Sequence, residues 1–260
     1  MRISFPHNFF SCGKPRPKRR RKGVCFMFPY SLLTVSEATT ETVTTISVIA
    51  IAVLCVVVFL LAIFRKNVTS TKKMVYAALS VALSFVLSYV KVSPVTYGGS
   101  ITLASFVPIL LYAYAFGFTS GLVTGFVYGI LQFVQSPYIL TPVTFLLDYA
   151  LAFIGIAFAG IFGNMQRKKE QAGQTTNELL SISLACVCAY AWRFLMHFGS
   201  GVIYFDLGAV WANLPANSAV AYSLLYQVVY LVPDFIICLA VCLLLVKRGI
   251  ISRLIEQMRK

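Results

Sequence analysis

Asp148, Arg193 and His197 stand well inside long apolar stretches, and Gln132 and Gln227 stand inside two more. A charge near the centre of a bilayer costs a few kcal/mol on insertion scales, so such residues persist where they face a protein interior and meet a partner. A carboxylate, a guanidinium, an imidazole and two amides in this setting predict the wall of one polar pocket that holds a small polar ligand. Arg193, His197 and Gly201 follow at four-residue spacing and so share one helix face. The glycine lets a ligand or a neighbouring backbone come close. Trp192 and Tyr204 flank this stripe. Asp148 and Tyr149 are adjacent, point in different directions, and so cannot both be central. Blander readings stand beside these: an Asp148–Arg193 ion pair tying two helices together, and His197 as a satisfied core histidine. Asp234, after Pro233, reads as a group that satisfies freed backbone or a loop rather than ligand.

The elements that must position these groups are membrane helices. The chain is 59% apolar and 12% charged over 260 residues, with mean hydropathy +0.82, which excludes an ordinary soluble domain and excludes disorder. Runs of spanning length recur at about 43–64, 73–92, 101–117, 119–134, 142–163, 179–205 and 217–246. The expected fold is an all-α membrane protein with one N-terminal span followed by six. Helix rise then places Asp148 roughly 10 Å, His197 roughly 12 Å, Arg193 roughly 18 Å, Tyr222 roughly 8 Å and Gln227 roughly 15 Å below the outer ends of their spans. Three helices thus carry polar groups at a similar depth in the outer half of the membrane.

Charge sets the orientation. With the 65–73 loop cytoplasmic, twelve of the fourteen Lys and Arg after residue 22 lie inside, Lys91 alone lies outside, and Arg193 is within a helix. The C-terminus is then cytoplasmic. The net charge of +14 follows from this topology and calls for no nucleic acid. The same orientation would put the basic "GKPRPKRRRKG" outside, whereas residues 27–44 carry no Lys or Arg. The expected organisation is therefore a basic extension at 1–26, outside a true start at Met27, then an extracellular tail at 27–42. An extra transmembrane helix at 43–64, a six-helix core at 72–247 and a basic cytoplasmic tail at 248–260 complete it. The alternative is a cytoplasmic basic tail with the first span not inserted.

Seven cysteines make no framework: Cys238 and Cys242 share a helix face, but no zinc spacing accompanies them, and they read as small buried apolar residues. Asn67-Val68-Thr69 matches a glycosylation sequon on a cytoplasmic loop, where it is chance. The loop 91–100, with Pro94, Tyr97, Gly98 and Gly99, suits a lid or a plain connector. Ala78 and Ala82 follow Met74 at four-residue spacing, a small-residue face that suits close packing within the bundle or against a second protein.

The segments "GGSITLASFVPILL", "GFVYGILQFVQSPYIL", "FLLDYALAF", "RFLMHFGSGVIYF" and "AYSLLYQ" occur in this order. As an ordered set they resemble the thiamine-specific S components (ThiT/YuaJ family) of energy-coupling factor transporters, over about residues 72–247. The resemblance implies a six-helix S component that captures thiamine outside the cell and docks a transmembrane scaffold subunit carrying two ATPases. Ala78 and Ala82 would form the docking face. It implies substrate contacts from Asp148, Tyr149, His197, Arg193, Gly201, Tyr222, Gln227 and Tyr138, with Tyr204 and Phe205 adding aromatic surface. Asp148 stands where the family pattern has Glu, and Gln227 where it has Asn. Gly99 and Phe205 stand where it has tryptophans.

The chemistry agrees with the resemblance. Thiamine is a cation with a flat aminopyrimidine; a carboxylate compensates its charge, aromatic rings stack on it, and His197 and Gln227 can read the pyrimidine nitrogens. The chain has no Gly-Lys-Ser/Thr phosphate-binding motif, so the ATPases would be partners. The expected function is a non-enzymatic substrate-binding subunit for ATP-driven thiamine uptake in a bacterial plasma membrane, with no cofactor. The competing readings are an S component for another vitamin or a thiamine precursor, a solitary proton-coupled carrier, and an intramembrane enzyme.

Overall fold

The computed structural model describes residues 71–94, 100–137, 141–206 and 218–259. The expected segments 1–26, 27–42 and 43–64, and with them the question of the start at Met27, lie outside the described residues.

Helix α1 (Thr71–Tyr89) leads into a short antiparallel hairpin, β1 (Lys91–Pro94) and β2 (Ser100–Thr102), with Lys91 opposite Thr102 and Pro94 opposite Ser100. The lid or connector expected at 91–100 thus has strands at its ends. Then come α2 (Val107–Phe116) and α3 (Phe118–Gln135). The next path is interrupted: α4 (Pro142–Phe145), a π-helical turn (Leu146–Leu151), α5 (Ala152–Ile154) and α6 (Ala157–Gln171). Two long helices, α7 (Glu178–Asp206) and α8 (Ala219–Lys247), and a short amphipathic α9 (Ile250–Arg259) complete the chain.

Four paths among the described residues are long and apolar enough to cross a membrane: α1, Val143–Gln171, α7 through Ile203, and α8. The span expected at 101–117 is different. Its first residues go to β2 and a turn in which Ala104 adopts φ 54°, and the helix starts only at Val107, with Pro108 in its first turn. Its 10 residues rise about 15 Å, half of a hydrocarbon core of about 30 Å. It is apolar on every side and buried on every side, with Ile109, Leu110 and Ala113 at 0% exposure. It therefore serves as the central post of the bundle, packed by α1, α3 and α6. Arg167 of α6 closes its end by donating from Nη1 to the Tyr114 and Ala115 carbonyls at 2.8 and 3.0 Å.

Close helix packing runs through glycines of α3. A Cβ built on Gly125 would lie 2.3 Å from the Phe153 carbonyl oxygen, and one on Gly129 would lie 2.1 Å from that of Tyr149. Backbone meets backbone there, as small residues permit in membrane bundles. This packing seats the π-helical turn against α3. By contrast, Met74, Ala78 and Ala82 of α1 are exposed, so that stripe does not pack within the described bundle.

Candidate polar site between α7, α8 and the π-helical turn

The π-helical turn is the local feature that presents Asp148. The Ala152 amide bonds back five residues to Leu147 O, which widens the helix by one residue. Leu151 O accepts instead from Trp192 Nε1 at 2.8 Å, tying the widened turn to α7. Asp148 then faces α7, where its Oδ1 lies 2.9 Å from His197 Nδ1 and its Oδ2 accepts from Ser200 Oγ at 2.6 Å. Tyr149 turns away, donating to Ser136 O at 2.6 Å and packing on Phe133. The adjacent pair diverges as adjacency requires.

His197 is held from both sides. Its Nδ1–H donates to Asp148, so Nε2 is the acceptor, and Arg193 Nε–H approaches Nε2 at 3.4 Å. The imidazole in this network is neutral, because a second proton on Nε2 would face the Arg193 donor. The Phe153 and Tyr230 rings meet the imidazole edge-on at 6.5 and 6.2 Å.

The Asp148–Arg193 ion pair that stood as an alternative reading is not formed. Arg193 Nη1 pairs with Asp234 Oδ2 at 3.2 Å, and its guanidinium is ringed by Phe106, Phe153 and Tyr190 at 5.0 to 5.9 Å from their centroids. Asp234 Oδ1 accepts from the Thr102 amide and hydroxyl at 3.1 and 2.9 Å, and Oδ2 also accepts from Tyr190 at 3.0 Å. The loop-satisfying role read for Asp234 is met at Thr102. The ion pair is an addition that follows from how α7 packs on α8. Charge therefore divides: Arg193 and Asp234 cancel, while both described groups that bond to Asp148 are neutral.

Gln227 joins from α8. Its Nε2 donates to His197 O at 2.9 Å, and its buried Oε1 has no hydrogen-bond partner among the described residues. Tyr222, 2% exposed, stacks on Tyr226 with centroids 6.4 Å apart and planes 9° apart, and Tyr226 meets Tyr230 at 5.4 Å. These three tyrosines form a ladder that ends beside His197.

A family model described as "Thiamine transporter protein (Thia_YuaJ)" matches residues 74–252. The chain belongs to this thiamine transporter family. A curated relative, the thiamine transporter ThiT of Bacillus subtilis (strain 168), is 33% identical over 150 residues, covering 56% of this chain and 75% of the relative. A solved structure of ThiT from Listeria monocytogenes superposes with TM-score 0.58 at 22% identity, over 68% of this chain and 93% of that one. That likeness establishes a shared fold, an all-α multi-pass membrane protein, and membership of the family makes the chain a transporter rather than an enzyme.

In this family member, Asp148, Arg193, His197 and Gln227 converge. Tyr222 joins through its ladder, and Gly201 abuts α8 instead of opening onto a cavity. Gln132 turns toward Tyr128 of its own helix. Tyr138 and the side chains of Tyr204 and Phe205 lie outside the described residues. Sequence reasoning missed Ser200, although it lies one turn from His197. It also missed Tyr226 and Tyr230, although the 222-226-230 spacing marks one face. Cys186 meets Cys238 and Cys242, with all three sulfurs within 4.8 Å of one another, a trio the sequence reading did not assemble. A metal on three thiolates would bury negative charge, and the one cation embedded in α7 is already taken by Asp234. The trio fits as neutral thiols packed at a helix crossing.

Proposed function

We propose that this chain is the substrate-binding membrane component of an energy-coupling-factor transporter. It captures thiamine outside a bacterial cell and holds its C-terminus in the cytoplasm. ATP hydrolysis on two partner subunits, joined through a transmembrane scaffold, drives uptake.

The observation that carries the reading is the Asp148 carboxylate, 17% exposed and bonded, among the described residues, only to the neutral donors His197 and Ser200. Such a group favours a cation, and thiamine supplies one on its thiazolium ring. Gln227 Oε1 supplies a buried acceptor suited to the exocyclic amine of the aminopyrimidine. The Tyr222–Tyr226–Tyr230 ladder supplies flat apolar surface, to which Tyr138, Tyr204 and Phe205 would add by family resemblance. Arg193 orients His197 and contributes no net charge. Coupling to ATPase partners rests on the resemblance, on the missing phosphate-binding motif, and on the exposed Ala78 and Ala82.

The test is a thiamine titration of the purified chain in detergent, without ATP or partners, followed by quenching of Trp192 and Trp211 fluorescence. Saturable one-to-one quenching is expected; none would refute the binding role. Uptake in cells should require the ATPase subunits. Uptake without them would mark a solitary carrier.

A further inference from the structure

We propose that Asp234 is a positioning residue that keeps the Arg193 charge off Asp148, so that the site carries one net negative charge and selects a monocation over neutral ligands. This rests on the reading of Asp148 as the partner of the ligand's positive charge.

Two carboxylates flank one guanidinium. Asp234 bonds to Nη1 of Arg193 at 3.2 Å. On the other side, Nε reaches His197 Nε2 at 3.4 Å, and the far nitrogen of that imidazole lies 2.9 Å from Asp148. Asp148 is therefore one ring away from the cation and would be its natural partner if Asp234 were lost. A buried guanidinium stripped of its counter-charge is strongly destabilised, so it moves to the nearest remaining carboxylate. What prevents this is the number of bonds that fix Asp234. It is 3% exposed and accepts from Arg193, from the Tyr190 hydroxyl, and from both the amide and hydroxyl of Thr102. Those donors belong to α7 and to the end of β2, so the carboxylate is held by two elements besides its own helix. The aromatic ring of Phe106, Phe153 and Tyr190 fixes the guanidinium in the same place. Asp148 is left with neutral donors. A ligand cation there meets a full negative charge, whereas a ligand entering an Asp148–Arg193 pair would have to displace a cation of the protein.

The readout is a ratio: affinity for thiamine divided by affinity for an isostere whose thiazolium is replaced by a neutral thiophene ring. Both are titrated on the purified full chain in detergent. The wild type is expected to favour thiamine. Asp234→Asn, which keeps the shape and an acceptor for Thr102, should shrink that ratio at least about tenfold, chiefly by weakening thiamine. Arg193→Met combined with Asp234→Asn removes the intruding charge and should restore the ratio to within about threefold of wild type. A merely structural Asp234 would weaken both ligands alike and leave the ratio unmoved, which would overturn the proposal. So would a double variant whose ratio stays collapsed. The double variant also carries the test alone if the single one does not fold: a retained preference supports the proposal and a lost preference refutes it. A wild type that binds both ligands equally would instead sink the reading of Asp148, and the role of Asp234 with it.

Discussion

Gly201 of α7 packs so closely on Ser223 of α8 that a Cβ at Gly201 would lie 2.3 Å from the Ser223 hydroxyl oxygen and 3.1 Å from its Cβ. The hydroxyl is not free to yield, because it donates to Phe198 O at 2.8 Å. Gln227 Nε2 lies next in line, at 3.4 Å from the same point. The glycine therefore sets the spacing of the two helices that carry His197 and Gln227. Gly201→Ala should destabilise the protein by about 1–3 kcal/mol through overpacking and should weaken thiamine binding by displacing Gln227. Thermal unfolding in detergent and a thiamine titration check both; a variant with wild-type melting and affinity would show that the crossing yields freely.

The charge assignment makes its own demand on Asp148. Asp148→Asn preserves size but removes the negative charge, and His197→Ala removes the donor that orients that carboxylate. Each should weaken thiamine binding at least about tenfold, or 1.4 kcal/mol. Equilibrium titration decides it, and unchanged affinity in both variants would remove these residues from the site.

Much of this constellation is legible in the chain because helical spacing is a local property. Arg193, His197 and Gly201 share a face by count alone, and an aspartate inside "FLLDYALAF" needs a partner wherever it lies. The pairing is not local. Asp234 belongs to Arg193 only because α7 lies along α8, and the adjacent Pro233 gives a sufficient backbone reason for an aspartate there. The hairpin hides for another reason: "ITLASFVPILL" has the apolar content of a membrane span, and Pro108 is the one sign that the helix begins late. The alanines of α1 advertise close packing, whereas backbone meets backbone at α3, where the "GFVYG" glycines sit inside an ordinary apolar run.

Those α3 glycines bear on the site through the π-helical turn. Gly129 faces Tyr149 O at a distance where an added Cβ would sit 2.1 Å away, and Tyr149 follows Asp148. Neither backbone can retreat without separating α3 from the turn. Gly129→Ala should therefore cost more than about 2 kcal/mol and lower the yield of monodisperse protein. Size-exclusion profiles and melting curves measure this. A wild-type profile would mean that the turn is looser than its packing implies.

Gln227 permits a test of ligand orientation. If its Oε1 accepts from the exocyclic amine of thiamine, an analogue with a carbonyl there should bind the wild type at least about tenfold more weakly, since acceptor would face acceptor in a dry site. Gln227→Leu should narrow that gap while weakening thiamine itself. Titrating both ligands on both proteins gives the coupling directly, and an unchanged gap would place the amine elsewhere.

If the outer face of α1 is the docking face proposed above, a change there should separate capture from transport. Met74, Ala78 and Ala82 are exposed and line up one turn apart, far in sequence from the residues around Asp148. A bulky side chain there has no described neighbour in the bundle to displace, but it would block close approach by another membrane helix. Ala78→Trp should bind thiamine with wild-type affinity in detergent and should abolish uptake in cells that contain the ATPase subunits. Alkaline extraction of membranes confirms that the variant is inserted, so that lost uptake reports on docking. Normal uptake by the inserted variant would move the docking face to another helix, and weakened binding would mean that α1 supports the site itself.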